Sequence, residues 1–205
     1  SILFIAPADL GETVLATGAL ARVVGDGDAV DVLCSPPAKV LFRALPQRRT
    51  VLSGAPGQDL GAYLGLGWPS LTKPYDVVLD LRGSPVALAI SARRRVRKPP
   101  PSVLRHVIED FAEAAGADAA LAPKLWLDDI AYTQAAEASP ISTPVLVLAP
   151  GGSDAGKRWP EERFAAVARR LVYGPLANAR VVLLGAGARD VDRMQVIASS
   201  LDADG

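Results

Sequence analysis

The sequence predicts an α/β protein built from two parallel-sheet units in series. Three observations predict it. Short apolar runs alternate with segments of helical period, the order expected of βαβ units. The alternation lapses at "QAAEASPISTP" and restarts at "PVLVLAP". Half of the 205 residues are hydrophobic but only 5% are aromatic, so the core is made mainly of Ala, Val and Leu, which suit strand-and-helix layers. A chain of this length buries a sizeable core without staples.

The opening "ILFIAP" is a short continuous apolar run ending in a turn, as expected of a strand buried on both faces. From Glu12 onward Ala16, Leu20 and Val23 recur at helical spacing until "GDGD" breaks the pattern. "AVDVLC" reads as a second strand and "AKVLFRAL" as a second helix. "YDVVLDLRGS" is the clearest strand of the first half, running through a Gly-Ser turn into the helical "PVALAIS". "ARRRVRKPPP" reads as a basic stretch, and "VLRHVIEDFAEAAG" as an amphipathic helix with a glycine stop. The small, polar, Pro-bearing stretch around residue 137 reads as a linker, giving expected domains of 1–137 and 138–205. In the second, "PVLVLAP" and "ARVVLLGAG" are strands, each followed by a helix, "PEERFAAVARRLV" and "RDVDRMQVIASSL". Two parallel strands leave a sheet edge open, so this domain is expected to be incomplete within these residues.

Lys plus Arg and Asp plus Glu both number 22, which argues against wrapping nucleic acid and leaves only local electrostatic recognition. A single cysteine, Cys34, rules out an internal disulfide and fits a reducing, cytoplasmic compartment. No apolar run approaches the roughly 18 residues of a membrane span. The start, "SILFIAPADLGE", lacks the basic and apolar regions of a secretory leader. Membrane contact is therefore expected to be peripheral at most.

"GGSDAGKRWP" carries the main chemical signal. Gly151 and Gly156-Lys157 stand at P-loop spacing, but Arg158 occupies the position of the magnesium-binding Ser or Thr. Pro160 delays the helix to about Trp159 or Pro160, with Glu161 and Glu162 in its first turn. What remains is a glycine-rich turn with two adjacent cations at the carboxyl end of a strand. By residue type it is either a pyrophosphate grip or a solvated surface loop. A P-loop ATPase is disfavoured by Arg158 and Pro160.

Three segments in order, "ILFIAPADLGETVLATGAL", "PYDVVLDLRGS" and "LVLAPGGSDAGKRWPEERFAAVARRL", together resemble glycosyltransferase family 9, the lipopolysaccharide heptosyltransferases and their relatives. The resemblance implies a GT-B architecture of two Rossmann-like domains facing a cleft, the first for the acceptor and the second for a nucleotide-sugar donor. It implies an inverting, metal-independent and cofactor-free transfer, typically of heptose from ADP-heptose onto a lipopolysaccharide inner core. Lys157 matches the family's functional lysine, and its charge would stabilise the leaving diphosphate. Gly151, Gly152, Ser153 and Arg158 would hold the donor with it. The family's general base is an aspartate after the first-loop glycine, whereas here Glu12 follows Gly11; a longer carboxylate serves if its reach is right. Asp9 is the reserve candidate, with turn or N-cap use as its alternative. Gly11 and Thr13 would line the acceptor side, and helix packing is the alternative for Thr13 and Thr17. Asp190 lies near an acidic donor contact of the family, with a helix N-cap as the alternative role. The family's later Asp-Thr-Gly donor motif does not occur in these residues, and this feeds the other reading: a sugar-nucleotide-binding module without catalysis.

Other features have plainer readings. Arg93, Arg94 and Arg95, with Arg97 and Lys98, would meet acceptor phosphates and carboxylates or anionic lipid of the inner membrane, or form a solvated basic loop. Asp26 to Asp28 read as a turn, not as a metal-binding pair. His106 stands in no metal-site pattern and is expected at a packing or surface position. Cys34 is expected as inert core. Trp159 is expected to pack under the glycine loop.

Overall fold

The computed structural model describes residues 1–54, 61, 64, 74–100, 104–138, 143–152, 154–185 and 187–202. The chain divides into two compact units, Ser1–Ile130 and Ala131–Gly205.

The first unit holds a five-stranded, wholly parallel sheet: β1 (Ile2–Ile5), β2 (Val30–Cys34), β3 (Arg48–Ser53), β4 (Tyr75–Asp80) and β5 (Ala92–Arg97), in the order β3-β2-β1-β4-β5. Every residue of β1 and β2 is buried, which is why both read as continuous runs. One sheet face packs Ile2, Phe4, Val32 and Leu79 against Ala16 and Leu20 of α1 (Leu10–Val23), with Phe42 and Phe111 beside them. Phe4 and Phe42 meet edge-on at 5.8 Å. The other face packs Leu3, Ile5, Leu33 and Val78 against Val86 and Ile90, around the one-turn helix α2 (Val86–Ala89).

Four segments differ from the sequence expectation. Pro36 and Pro37 open a 3-10 helix over Pro36–Phe42 where an α-helix was expected at "AKVLFRAL"; Pro46 follows too closely for a longer helix to form. "RRTVLS" forms β3, and the basic stretch forms β5, the two edges of the sheet. The amphipathic helix is α3 (Val107–Ala114), capped by His106 Nδ1, which accepts from the Ile108 N–H at 3.3 Å. Gly116, at φ 73°, stops it. The first part of the expected linker, residues 134–138, is helical as the end of α4 (Asp129–Ala138); residues 139–142 lie outside the described residues.

Gly18 makes α1 fit its neighbour. A Cβ there would come within 2.5 Å of the Ala122 carbonyl oxygen and 2.9 Å of the Leu121 one, both backbone atoms. Thr17 Oγ1 then accepts the Lys124 N–H at 3.0 Å, fixing the 121–124 segment along the helix.

In the second unit, β6 (Val145–Leu148) pairs in parallel with β7 (Arg180–Leu183). Helices α5 (Glu161–Val172) and α6 (Ala188–Asp202) pack together. Arg193 pairs with Glu161 at 2.7 Å and Arg169 donates to the Ser200 carbonyl at 2.6 Å, both across this helix pair. Among the described residues no helix is long and apolar enough to cross a membrane.

Candidate functional site

In the first unit the strand order reverses beside β1: the chain runs from β1 through β2 to β3 in one direction and from β4 to β5 in the other. Ligands of open parallel sheets bind at the carboxyl ends of the strands at such a reversal. The loops there are Ala6–Asp9 after β1 and Leu81–Ser84 after β4.

The first loop ends at Asp9 and leads into the first turn of α1, which carries Gly11, Glu12 and Thr13. Asp9 is the N-cap of α1, its Oδ1 accepting the Glu12 N–H at 3.1 Å. Gly11 leaves room for that cap, since a Cβ there would stand 3.1 Å from Asp9 Oδ1. Thr13 is buried, and its hydroxyl hydrogen-bonds the carbonyls of Pro7 at 3.1 Å and Asp9 at 2.8 Å. It fastens the loop. Glu12 is half-buried, and among the described residues its carboxylate makes no hydrogen bond or ion pair. Of these two acids, Asp9 is committed to the backbone and Glu12 is not.

The second loop holds residues that sequence reading missed. Asp80, fully buried at the end of β4, accepts three backbone N–H groups on Oδ1: Arg82 at 3.1 Å, Gly83 at 2.9 Å and Ser84 at 3.2 Å. Its Oδ2 lies 3.4 Å from Arg97 Nε of β5. The Arg82 Nε donates to the Ala6 carbonyl at 2.8 Å. The "DLRGS" turn was a visible signal for the three N–H bonds; the reach of Arg82 across the sheet was not.

Of the basic strand, Arg93 pairs with Asp76 at 3.0 Å, and Arg95 donates to the carbonyls of Ala87, at 2.9 Å, and Ile90, holding the end of α2. Arg94 is exposed and makes no hydrogen bond or ion pair among the described residues. It lines a hollow of about 310 Å³ with Arg97, Pro99 and Glu113. Lys98 lies 5.7 Å from the Phe111 ring centroid.

Cys34 ends β2 on the same carboxyl edge, and burial pushes its thiol up to about 11 against the opposing charges of Arg82 and Lys39. It is held inert.

In the second unit a hollow of about 570 Å³ opens at the carboxyl ends of β6 and β7. Gly151, Gly152, Arg158, Gly185, Arg189 and Asp190 line it. Arg158 turns back on its own loop, Nε donating to the Gly152 carbonyl at 2.9 Å. Lys157 is exposed outside this lining; its N–H bonds Asp154 Oδ1 at 3.1 Å and its Nζ lies 3.5 Å from Asp154 Oδ2. Ser153 lies outside the described residues. Asp190 sits inside the first turn of α6, past the N-cap position, with its N–H donating to the Gly187 carbonyl at 3.1 Å. Arg189 was not anticipated and follows directly from that helix start. Trp159 packs edge-on against Phe164 at 5.3 Å. Among the described residues no cluster of His, Cys, Asp and Glu could hold a metal ion.

The family model for glycosyltransferase family 9 (heptosyltransferase) matches residues 70–204. Several solved structures share the fold. The ADP-heptose lipopolysaccharide heptosyltransferase II of E. coli is similar with a TM-score of 0.71 and 20% identity, over 98% of this chain and 69% of that one. The E. coli heptosyltransferase WaaC, solved with ADP, gives 0.66 and 16% identity, over 97% and 72%. A family 9 glycosyltransferase from Veillonella parvula DSM 2008 gives 0.73 and 16% identity, over 97% and 65%. No curated protein matches the chain in sequence.

Proposed function

The chain belongs to glycosyltransferase family 9, and from that membership we propose that it moves heptose from ADP-heptose onto an acceptor of the lipopolysaccharide inner-core type, with inversion and without a metal ion. The observation that carries the reading is the uncommitted, half-buried carboxylate of Glu12 at the sheet's reversal point. Glu12 removes the proton of the acceptor hydroxyl as that oxygen attacks the anomeric carbon, and the bond from that carbon to the diphosphate breaks. Negative charge grows on the departing ADP. Lys157 and Arg158 offset it, with the N–H groups of the Gly151-Gly152 turn and the start of α6 beside the hollow. Asp190 contacts the donor. On the acceptor side, Arg94 and the rest of the basic edge meet phosphates and carboxylates, which suits work in the cytoplasm at the face of the inner membrane.

The direct test incubates the complete natural chain with ADP-heptose and a deacylated lipopolysaccharide core in EDTA, reading product by mass spectrometry. A heptose-sized mass gain is expected. A folded protein that binds ADP-heptose and yields no gain would favour the second reading, a nucleotide-sugar-binding module, for which the Glu12 replacement speaks.

A further inference from the structure

A single guanidinium ties together the two loops at the reversal point. Arg82 Nε donates to the carbonyl of Ala6, 76 residues earlier in the chain. Ala6 is where the β1 ladder ends: its N–H donates to the Leu33 carbonyl at 2.9 Å, and the next residue, Pro7, has no N–H to give. From there to the first turn of α1, side chains add to the backbone bond that opens the helix, the Thr13 N–H to the Asp9 carbonyl at 2.9 Å. The Thr13 hydroxyl donates its one proton between the carbonyls of Pro7 and Asp9, the Asp9 carboxylate accepts the Glu12 N–H, and Arg82 supplies the restraint at the root.

Arg82 is itself fixed. Its backbone N–H is one of three that converge on buried Asp80, whose other oxygen faces Arg97, and Gly83 completes the turn at φ 79°. The β1–β4 ladder has its own backbone bonds, such as Leu81 N–H to the Ile5 carbonyl at 3.0 Å, so pairing the strands does not need this side chain. A partly buried guanidinium carries a desolvation cost, and what its rigid fork offers in return is direction.

We propose that Arg82 is a positioning residue for Glu12: by locking the Ala6 carbonyl to the turn built on Asp80, it sets the loop that leads into the first turn of α1, where the carboxylate stands. The proposal rests on Glu12 acting as the base. It acts through the backbone, and a displacement of about one ångström at a reacting group can cost about a hundredfold in rate.

The test compares the full natural chain with its Arg82→Gln and Arg82→Lys variants by hydrogen exchange over residues 6–13 and by initial rates with ADP-heptose and core acceptor. Arg82→Gln should speed exchange in this loop by about tenfold or more while β2 and β3 stay protected. Its kcat should fall about tenfold to a hundredfold with the ADP-heptose KM within about twofold, and Arg82→Lys should recover part of the loss. Faster exchange spread over the whole unit, with the folded fraction as active as the parent, would mean a purely structural role and overturn the proposal. Unchanged exchange in the loop would also overturn it. Should the parent transfer nothing, the assigned reaction fails; loop-confined acceleration would then still establish the clamp, and its absence would remove it.

Discussion

Asp190 occupies the space that a side chain on Gly151 would need: a Cβ at Gly151 would stand 2.7 Å from Asp190 Oδ2 and 3.0 Å from its Cγ. Gly185, two residues past the end of β7, bounds the same residue: a Cβ there would come within 2.7 Å of the Asp190 Cβ. Two glycines in the turns after β6 and β7 thus seat Asp190 in the wall of the second unit's hollow.

Gly151→Ala should therefore destabilise the protein by about 1–3 kcal/mol through overpacking and weaken ADP-heptose binding. Because the clash is with one short side chain, Gly151→Ala combined with Asp190→Ala should be more stable than Gly151→Ala alone. Urea unfolding of the cycle decides it; strictly additive effects would show that the loop yields elsewhere.

Glu12 and Asp9 are separable by substitutions that keep the helix start intact. Glu12→Gln should lower kcat by about a hundredfold to ten-thousandfold while the ADP-heptose KM changes little. Asp9→Asn should retain both stability and turnover, because Asn caps a helix as well as Asp does. If Asp9→Asn is the inactive variant, the base is Asp9 and Glu12 is an ordinary first-turn acid.

The sheet shows where sequence reading stops. Its inner strands β1 and β2 were legible because burial on both faces leaves nearly continuous apolar runs, "ILFI" and "VDVLC", and β4 because its buried end leaves "VVL". The two missed strands, β3 and β5, are its edges, and both carry arginines. Charge at an edge discourages pairing with other chains, but it also hides the strand in a pattern that looks like a loop. The site divides in the same way. Glu12, Arg158 and Asp190 could be nominated from local motifs. Arg82 could not, because the carbonyl that gives it meaning lies on another strand.

Asp31 is a charged residue inside a fully buried strand, and Arg49 and Tyr75 account for it. Arg49 Nε donates to Oδ1 at 2.9 Å, its second nitrogen pairs with Oδ2, and the Tyr75 hydroxyl donates to Oδ2 at 2.7 Å. Arg49→Ala leaves a buried carboxylate with one neutral donor and should cost about 3–5 kcal/mol. Asp31→Asn should cost less, about 1–3 kcal/mol, since the freed guanidinium is 44% exposed and can turn to water. Urea midpoints of the two variants test the order, and the reverse order would show that the cation is the group that depends on the pair.

Cys34 should make stability fall in alkali. The thiol's ordinary value is 9.0, and burial raises it to about 11 in the folded protein. Between these values the unfolded chain has released the proton and the folded chain still binds it, so the slope of unfolding free energy with pH is negative. The contribution is intact below about pH 9 and is lost progressively up to about pH 11, amounting to about 2–3 kcal/mol over that window. Cys34→Ala removes the titrating group and should flatten this part of the profile, whatever baseline cost its smaller side chain carries. Urea unfolding of both proteins at pH 8, 9, 10 and 11 measures the difference. Parallel profiles would mean that the thiol ionises alike in both states, and rapid alkylation of the native protein at pH 8 would agree with that result. With the thiol held protonated in the folded state, alkylation at pH 8 should instead wait for unfolding.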